Sequence, residues 1–212
     1  MSYVQWEAVG PETSNKTGKL EYLRLKSGNT YRVRPLYYPV DFYKYFHRKD
    51  GRLRTAIVKD PRSCPVRAAH SELNKPSKRY AILVLDRTDN SKVKILEAPL
   101  SVFKPLRDHY NATGKKPGGG NDGSDWQIKV EGQKLSTNYS VIYLADAPLT
   151  DDEKAKIKDA VDGDQEILEK IYAADDPETI EKKLFGEWNS NNPDSSQAEE
   201  EQEQEDNFDI AW

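Results

Sequence analysis

The residues best suited to chemistry are tyrosines and cations spaced two apart on either side of Asp50-Gly51. Asp-Gly readily supplies the positive φ angles of a two-residue hairpin turn. Residues 42–48 and 52–59, which flank it, read as strands. With that loop, Lys49 faces Arg52, His47 faces Arg54 and Tyr45 faces Ala56. One face of the ribbon then carries Tyr43, Tyr45, His47, Lys49, Arg52 and Arg54. The other carries Phe42, Phe46, Leu53 and Ile57, with Lys44 and Arg48 able to snorkel from the edge. Only a one-residue slip would exchange the faces. The apolar face is expected to meet the core, leaving tyrosines interleaved with cations outside.

Single-stranded nucleic acid asks for this combination. Cations track phosphates, and flat side chains stack on unpaired bases at ~1–3 kcal/mol each, whatever the base. Arg32 and Arg34 are expected on the non-core face of their strand, and Lys78, Arg79, Lys92 and Lys94 add positive charge. Strand tyrosines also serve simply to cover a hydrophobic edge. Trp126 alternates with Ile128 and Val130 and is read as core.

Catalytic patterns are weak. Gly118-Gly119-Gly120 follows Lys115-Lys116 and lacks the lysine and hydroxyl that complete a phosphate-binding loop. His47, His70, His109 and the single Cys64 have no metal-ligand spacing; Cys64 reads as a core thiol and His70 as a surface imidazole. No carboxylate motif points to two-metal nuclease chemistry. The sequence therefore predicts neither enzyme, metal nor cofactor.

These residues need a β-rich scaffold to position them. Strands are expected over residues 19–25, 30–36, 42–48, 52–59, 79–85, 92–96, 125–131 and 139–145. The run from Arg79 to Leu85 is apolar on both faces, as in a central strand. Helices are expected over 64–73 and over 101–110, where Val102, Leu106 and Tyr110 stack and Pro105 intrudes. The glycine-rich residues 115–124 read as a mobile loop. Beyond residue 149 the pattern turns helical. Thr150-Asp-Asp-Glu153 is a capping box, Asp164 precedes a second apolar stripe, and Asp176-Pro177 opens a helix that Gly186 ends.

At 212 residues the chain can hold one domain plus extensions. Its net charge of −4 conceals an asymmetry. Residues 1–145 carry 26 Lys/Arg against 14 Asp/Glu, whereas residues 146–212 carry 6 against 22. A basic body on an acidic end suggests a nucleic-acid binder with a partner-binding tail. Residues 189–212 contain eight acidic residues and no Lys or Arg, so disorder is expected there. Their last residues, Asn207-Phe-Asp-Ile-Ala-Trp212, set Asp206, Phe208, Asp209, Ile210 and Trp212 as an amphipathic hook for an apolar pocket with a basic rim. No apolar run approaches the ~20 residues of a membrane span, and the amino terminus has no secretory pattern. A lone cysteine fits a reducing cytoplasm.

The sequence resembles the T-even-type bacteriophage single-stranded DNA-binding proteins. The resemblance rests on Asn29-Thr-Tyr-Arg-Val-Arg-Pro35, Lys49-Asp-Gly-Arg52, Ser63-Cys-Pro-Val66 and Arg79-Tyr-Ala-Ile-Leu-Val-Leu-Asp86, followed by Trp126-Gln-Ile-Lys-Val130 and Tyr139. It covers roughly residues 20–145, and each motif is short, so their order carries it. It implies an OB-fold barrel that coats transient single strands during phage replication, recombination and repair. Family members hold a structural zinc through one His and three Cys. Here Cys64-Pro65-Val66 is followed by Arg67, no second cysteine exists, and Arg67 adds a cation where the metal would sit. The family's basic amino-terminal motif finds only a poor match in Lys16-Thr-Gly-Lys19.

The expected architecture is thus mainly β. An arm (1–18) leads into an OB-like barrel with inserted helices (19–145), a helical extension (146–188) and an acidic tail (189–212). The expected function is sequence-tolerant single-stranded DNA binding in a phage-infected cytoplasm. The tail would recruit polymerase, helicase or recombination proteins and compete with DNA. An acidic interaction or inhibitor protein with a DNA-mimicking tail, and an RNA-binding OB protein, are the alternatives.

Overall fold

The computed structural model describes residues 20–119, 122–133, 136–161 and 166–186. Eight strands are formed: β1 (Glu21–Tyr22), β2 (Thr30–Pro35), β3 (Val40–Lys49), β4 (Arg52–Val58), β5 (Ser77–Asp86), β6 (Lys92–Pro99), β7 (Ser124–Glu131) and β8 (Asn138–Asp146). Five helices accompany them: α1 (Pro65–Ala69), α2 (Leu100–Thr113), α3 (Asp151–Val161), α4 (Ile167–Ile171) and α5 (Pro177–Phe185). The protein is mainly β, with one mixed sheet.

Strand β5 organises the sheet. One edge pairs with β6 from Arg79↔Pro99 to Asp86↔Lys92. The other edge is shared: β2 takes residues 84–86 and β3 takes residues 77–81, both antiparallel. The sheet therefore forks at residues 36–39. One wing continues through β7 to β8, and the other is the β3–β4 hairpin. β1 pairs with β6 in parallel. Among the described residues the outer edges of β1, β4 and β8 join no further strand, so the sheet is open rather than closed into a barrel.

Three apolar layers cover this forked sheet. On one face Val102, Phe103 and Leu106 of α2 pack on Val33, Ile82, Val84, Trp126, Ile128 and Val130. On the opposite face Ile157 and Val161 of α3 and Ile167 and Leu168 of α4 pack on Ala81, Leu83, Leu85 and Ile95. The central strand is thus buried on both sides, as its continuous apolar run requires. The third layer sets Val66 of α1 and Ile180 and Leu184 of α5 on Tyr45, Ala56 and Val58 of the hairpin, with Cys64 and Leu73.

Local chemistry explains the element ends. Asp50 and Gly51 take φ 56° and 75°, and Lys49 pairs with Arg52 in the predicted register. Glu153 N–H donates to Thr150 Oγ1 at 3.2 Å and Thr150 N–H returns to Glu153 Oε2 at 3.0 Å, closing the capping box. Asp176 caps α5 by accepting from Thr179 N–H at 2.9 Å. Gly186 follows α5 in extended rather than left-handed backbone. α2 runs through Pro105 in its second turn; the carbonyl that loses its donor belongs to exposed Ser101, within reach of solvent.

The glycine-rich loop is held, not free, over its described part. Arg34 is 0% exposed and donates from Nε to Ala147 O (2.9 Å) and from Nη2 to Gly119 O (2.8 Å). Its Nη1 donates to Pro35 O at 2.6 Å. Gly119 N–H donates to Leu36 O at 2.9 Å. A Cβ on Gly123 would lie 1.8 Å from Arg34 Nη1, so no larger residue fits beside the guanidinium.

Leu184 is fully buried in the hairpin layer. Leu184→Ala is expected to cost ~2–5 kcal/mol, read as a lower urea midpoint with little change in slope.

Candidate nucleic-acid interface

The structure covers the hairpin on both sides: Phe42 and Leu53 are buried and Ile57 packs on the core as expected, but the face expected to lie outside is largely covered too. Tyr45 is fully buried, and burial pushes its hydroxyl well above the ordinary tyrosine range. His47 packs on Phe185 of α5, with ring centroids 4.7 Å apart. Lys49 Nζ donates to Phe185 O and Arg54 Nη1 to Gly186 O, so both cations hold the carbonyl end of α5. Asp50 adds a 3.7 Å ion pair to Arg54. Tyr45, His47, Lys49 and Arg54 thus anchor a helix instead of forming an exposed face. The reason lies about 130 residues along the chain: Ile180, Leu184 and Phe185 require an apolar floor.

Other predicted contacts are likewise committed to the fold. Arg34 clamps the loop. Arg79 and Lys44 face Glu97 at 3.5 and 3.1 Å in a buried cluster. Burial opposes the Glu97 charge, yet the two cations hold its carboxyl below the usual range. Lys94 pairs with Asp86 at 2.9 Å and Asp89 at 2.8 Å. Lys92 pairs with Asp89 at 3.2 Å. Arg32 remains exposed but bonds Asp125 at 2.7 Å. Asp125 also takes Arg87 at 3.0 Å, and Arg87 reaches Glu153, tying β2 and β7 to α3. Arg67 is half-buried on α1 and Arg52 exposed beside the turn.

Two of the predicted residues do come together. Tyr43 of β3 is paired with Lys78 of β5, and Tyr80 lies two residues further on the same face. Lys78 Nζ sits 5.9 Å from the Tyr43 ring centroid and 5.5 Å from that of Tyr80. Asp41 bonds Lys78 at 2.9 Å, which raises the lysine further above its ordinary value. This strip lies between two helical covers. Tyr80 borders Phe103 of α2 at 5.4 Å, and Tyr43 borders the α1–α5 layer. Lys94 and Lys92 lie toward the opposite end of β5, beside Val84 and Asp86, six and eight residues from Lys78 or about 20 and 26 Å away.

A second exposed group lies at the fork. Tyr38 is 71% exposed, with Lys116 Nζ 5.5 Å from its ring centroid. The Tyr38 hydroxyl raises the Lys116 ammonium above its ordinary value. Tyr110, read from the sequence as part of a buried stripe, is exposed at the end of α2. Tyr38, Tyr80, Tyr110 and Lys116 were not expected as binding residues. The available signals were the Tyr37-Tyr38-Pro39 tandem in a strand break and Lys115-Lys116 before the glycine run.

Cys64 lies within the apolar hairpin layer, and among the described residues no three His, Cys, Asp or Glu side chains converge to hold a metal ion. The residues present do not fit a zinc site. No described helix is long and apolar enough to cross a membrane. The tail residues Asp206, Phe208, Asp209, Ile210 and Trp212, the amino-terminal Lys16 and Lys19, and the cap residue Asp164 lie outside the described residues.

The α1–α5 cover has opposed histidines. His70 stacks on Phe185 at 3.8 Å and bridges Glu181 (3.2 Å) and Glu72 (3.3 Å), which raise its pKa. Burial lowers that of His47, with Arg54 and Lys49 adding to the effect and Glu72 opposing it. A raised histidine contributes stability that is lost as pH rises through its folded pKa; a lowered one loses its contribution as pH falls below its unfolded value. Hydrogen exchange of α5, corrected for intrinsic rates, is expected to be slowest near pH 6.5, the ordinary histidine value. His70→Gln is expected to flatten the alkaline limb and His47→Gln the acid limb.

The sequence matches no protein-family model, and no curated protein matches it.

Proposed function

We propose that the protein is a non-catalytic, sequence-tolerant single-stranded DNA-binding protein. The observation that carries this reading is the Tyr43–Lys78–Tyr80 strip, two half-buried rings flanking one ammonium in the gap between two helical covers. Such rings offer faces for bases while the lysine meets a phosphate, and no base edge is read. Tyr38 and Lys116 repeat the pairing of ring and cation at the fork.

The β-rich scaffold and the order of short motifs support the reading as a phage-type, OB-like protein that coats single strands in replication, recombination and repair. On this proposal it acts in the host cytoplasm. The acidic residues 189–212 recruit polymerase, helicase or recombination proteins and compete with DNA for the cationic strip. A competing reading, an acidic interaction protein, is favoured by the ion pairs that engage Arg79, Lys92 and Lys94.

Titration with oligo-dT, duplex DNA and RNA at two salt concentrations separates these readings. Oligo-dT is expected to quench tyrosine and tryptophan emission, with log K falling ~0.7 per phosphate contacted for each tenfold rise in salt. Tyr43→Ala and Tyr80→Ala are each expected to weaken binding roughly five- to 100-fold, and Lys78→Ala to make the salt slope shallower. Lys92→Ala is expected to leave affinity unchanged. Absence of quenching and of a gel shift would favour the interaction protein, and tighter binding to RNA would overturn the DNA assignment.

Deleting residues 189–212 is expected to tighten oligo-dT binding and abolish capture of replication proteins. An unchanged oligo-dT isotherm would refute competition by the tail.

A further inference from the structure

Asp41, Tyr43, Lys78 and Tyr80 form a square on one face of β3 and β5, with Asp41 opposite Tyr80 and Tyr43 opposite Lys78. Phe42, Lys44 and Arg79, which alternate with them, are buried. The two rings occupy one diagonal of the square and an ion pair the other. Lys78 Nζ thus sits 5.9 and 5.5 Å from the ring centroids and meets the Asp41 carboxylate at 2.9 Å.

The exposed cations of the body differ in how firmly their carboxylate partners are held. Arg32 faces Asp125, which is 1% exposed and also pairs with Arg87. Lys92 faces Asp89, which also takes Lys94 at 2.8 Å. Lys115 faces Asp146, which also accepts from the Tyr143 hydroxyl at 3.0 Å and from Ser124 Oγ at 3.2 Å. A second partner keeps each of these carboxylates in place when a ligand approaches. Asp41 is 57% exposed and, among the described residues, pairs with no second cation. Turned away from Lys78, its carboxylate is solvated by water, and a side-chain rotation is enough to vacate the lysine.

Resting on the reading of this strip as a site for single-stranded DNA, we infer that Asp41 sets the affinity of that site, as an internal anion that occupies Lys78 until a phosphate displaces it. Binding then exchanges one ion pair for another, so Lys78 contributes less than an unengaged ammonium would. The displaced carboxylate also remains close to a phosphate of like charge. Salt screens the Lys78–Asp41 pair as well as the Lys78–phosphate pair. Asp41 therefore weakens binding most at low salt and flattens the dependence of affinity on salt.

Anisotropy of a labelled oligo-dT over a salt series tests this on the full chain, with Asp41→Asn, Lys78→Ala and the double variant. Asp41→Asn is expected to tighten binding roughly two- to fivefold at low salt, the range of an exposed ion pair. Its salt slope should be steeper than that of wild type, and the two affinities should converge as salt rises. In the Lys78→Ala background the same substitution is expected to leave the slope unchanged, because no ammonium is released. Glu131→Gln controls for net charge: it frees Lys129 from a 2.6 Å pair on β7, away from the strip, and should leave affinity unchanged. Circular dichroism of Asp41→Asn should match wild type, because Asp41 belongs to none of the apolar layers. Wild type that binds oligo-dT with Asp41→Asn no tighter would overturn the inference and leave the single-strand reading standing. An equal gain from Glu131→Gln, or a steeper slope that persists without Lys78, would overturn it in favour of net charge alone. Binding of oligo-dT by neither wild type nor any variant would overturn both.

Discussion

One edge of β5 is shared between two strands, and the rest of the structure follows from that division. β2 and β3 run in the same direction and each satisfies part of the same row of backbone groups. Neither can continue through residues 36–39 without displacing the other. Each therefore carries its own neighbours outward, β7 and β8 on one side and β4 on the other. The two wings need separate covers, α2 for the first and α1 with α5 for the hairpin. The strip of Tyr43, Lys78 and Tyr80 lies where those covers do not meet.

Much of the positive charge in the body is consumed by this arrangement. A charge taken out of water needs a partner, and the hairpin cations find theirs in carbonyl oxygens at the end of α5, while Arg79 and Lys44 share Glu97. Lys78 differs because Asp41 meets it at the surface, with the lysine 45% and the aspartate 57% exposed. Exposed ion pairs of this kind exchange partners at little cost, so a phosphate can replace the carboxylate. The buried clusters have no such freedom.

The strands were legible because alternation and turn chemistry are local properties. Asp50-Gly51 set the hairpin register, and Thr150 with Glu153 marked the start of α3. That both faces of the hairpin would be covered was not legible. Both faces mix aromatic and cationic residues, and the decision rests with Ile180 and Leu184, far away in sequence. Arg34 shows the same limit. It alternates with Val33 as an outward residue would, and nothing near it in sequence signals the carbonyls of Gly119 and Ala147. Tyr80 was hidden by its strand: a residue inside a continuous apolar run reads as core, whereas its ring lies at the border of α2.

The arginine that clamps the glycine-rich segment also changes the entropy of anything that binds beside it. A free loop of that composition would lose many backbone conformations on meeting a ligand, about 1–2 kcal/mol for each residue fixed. Here Gly119 is already held by Arg34 and Leu36, three residues from Lys116. The ordering occurs at folding, so a ligand reaching Tyr38 and Lys116 meets a preorganised surface and retains more of its contact energy as affinity.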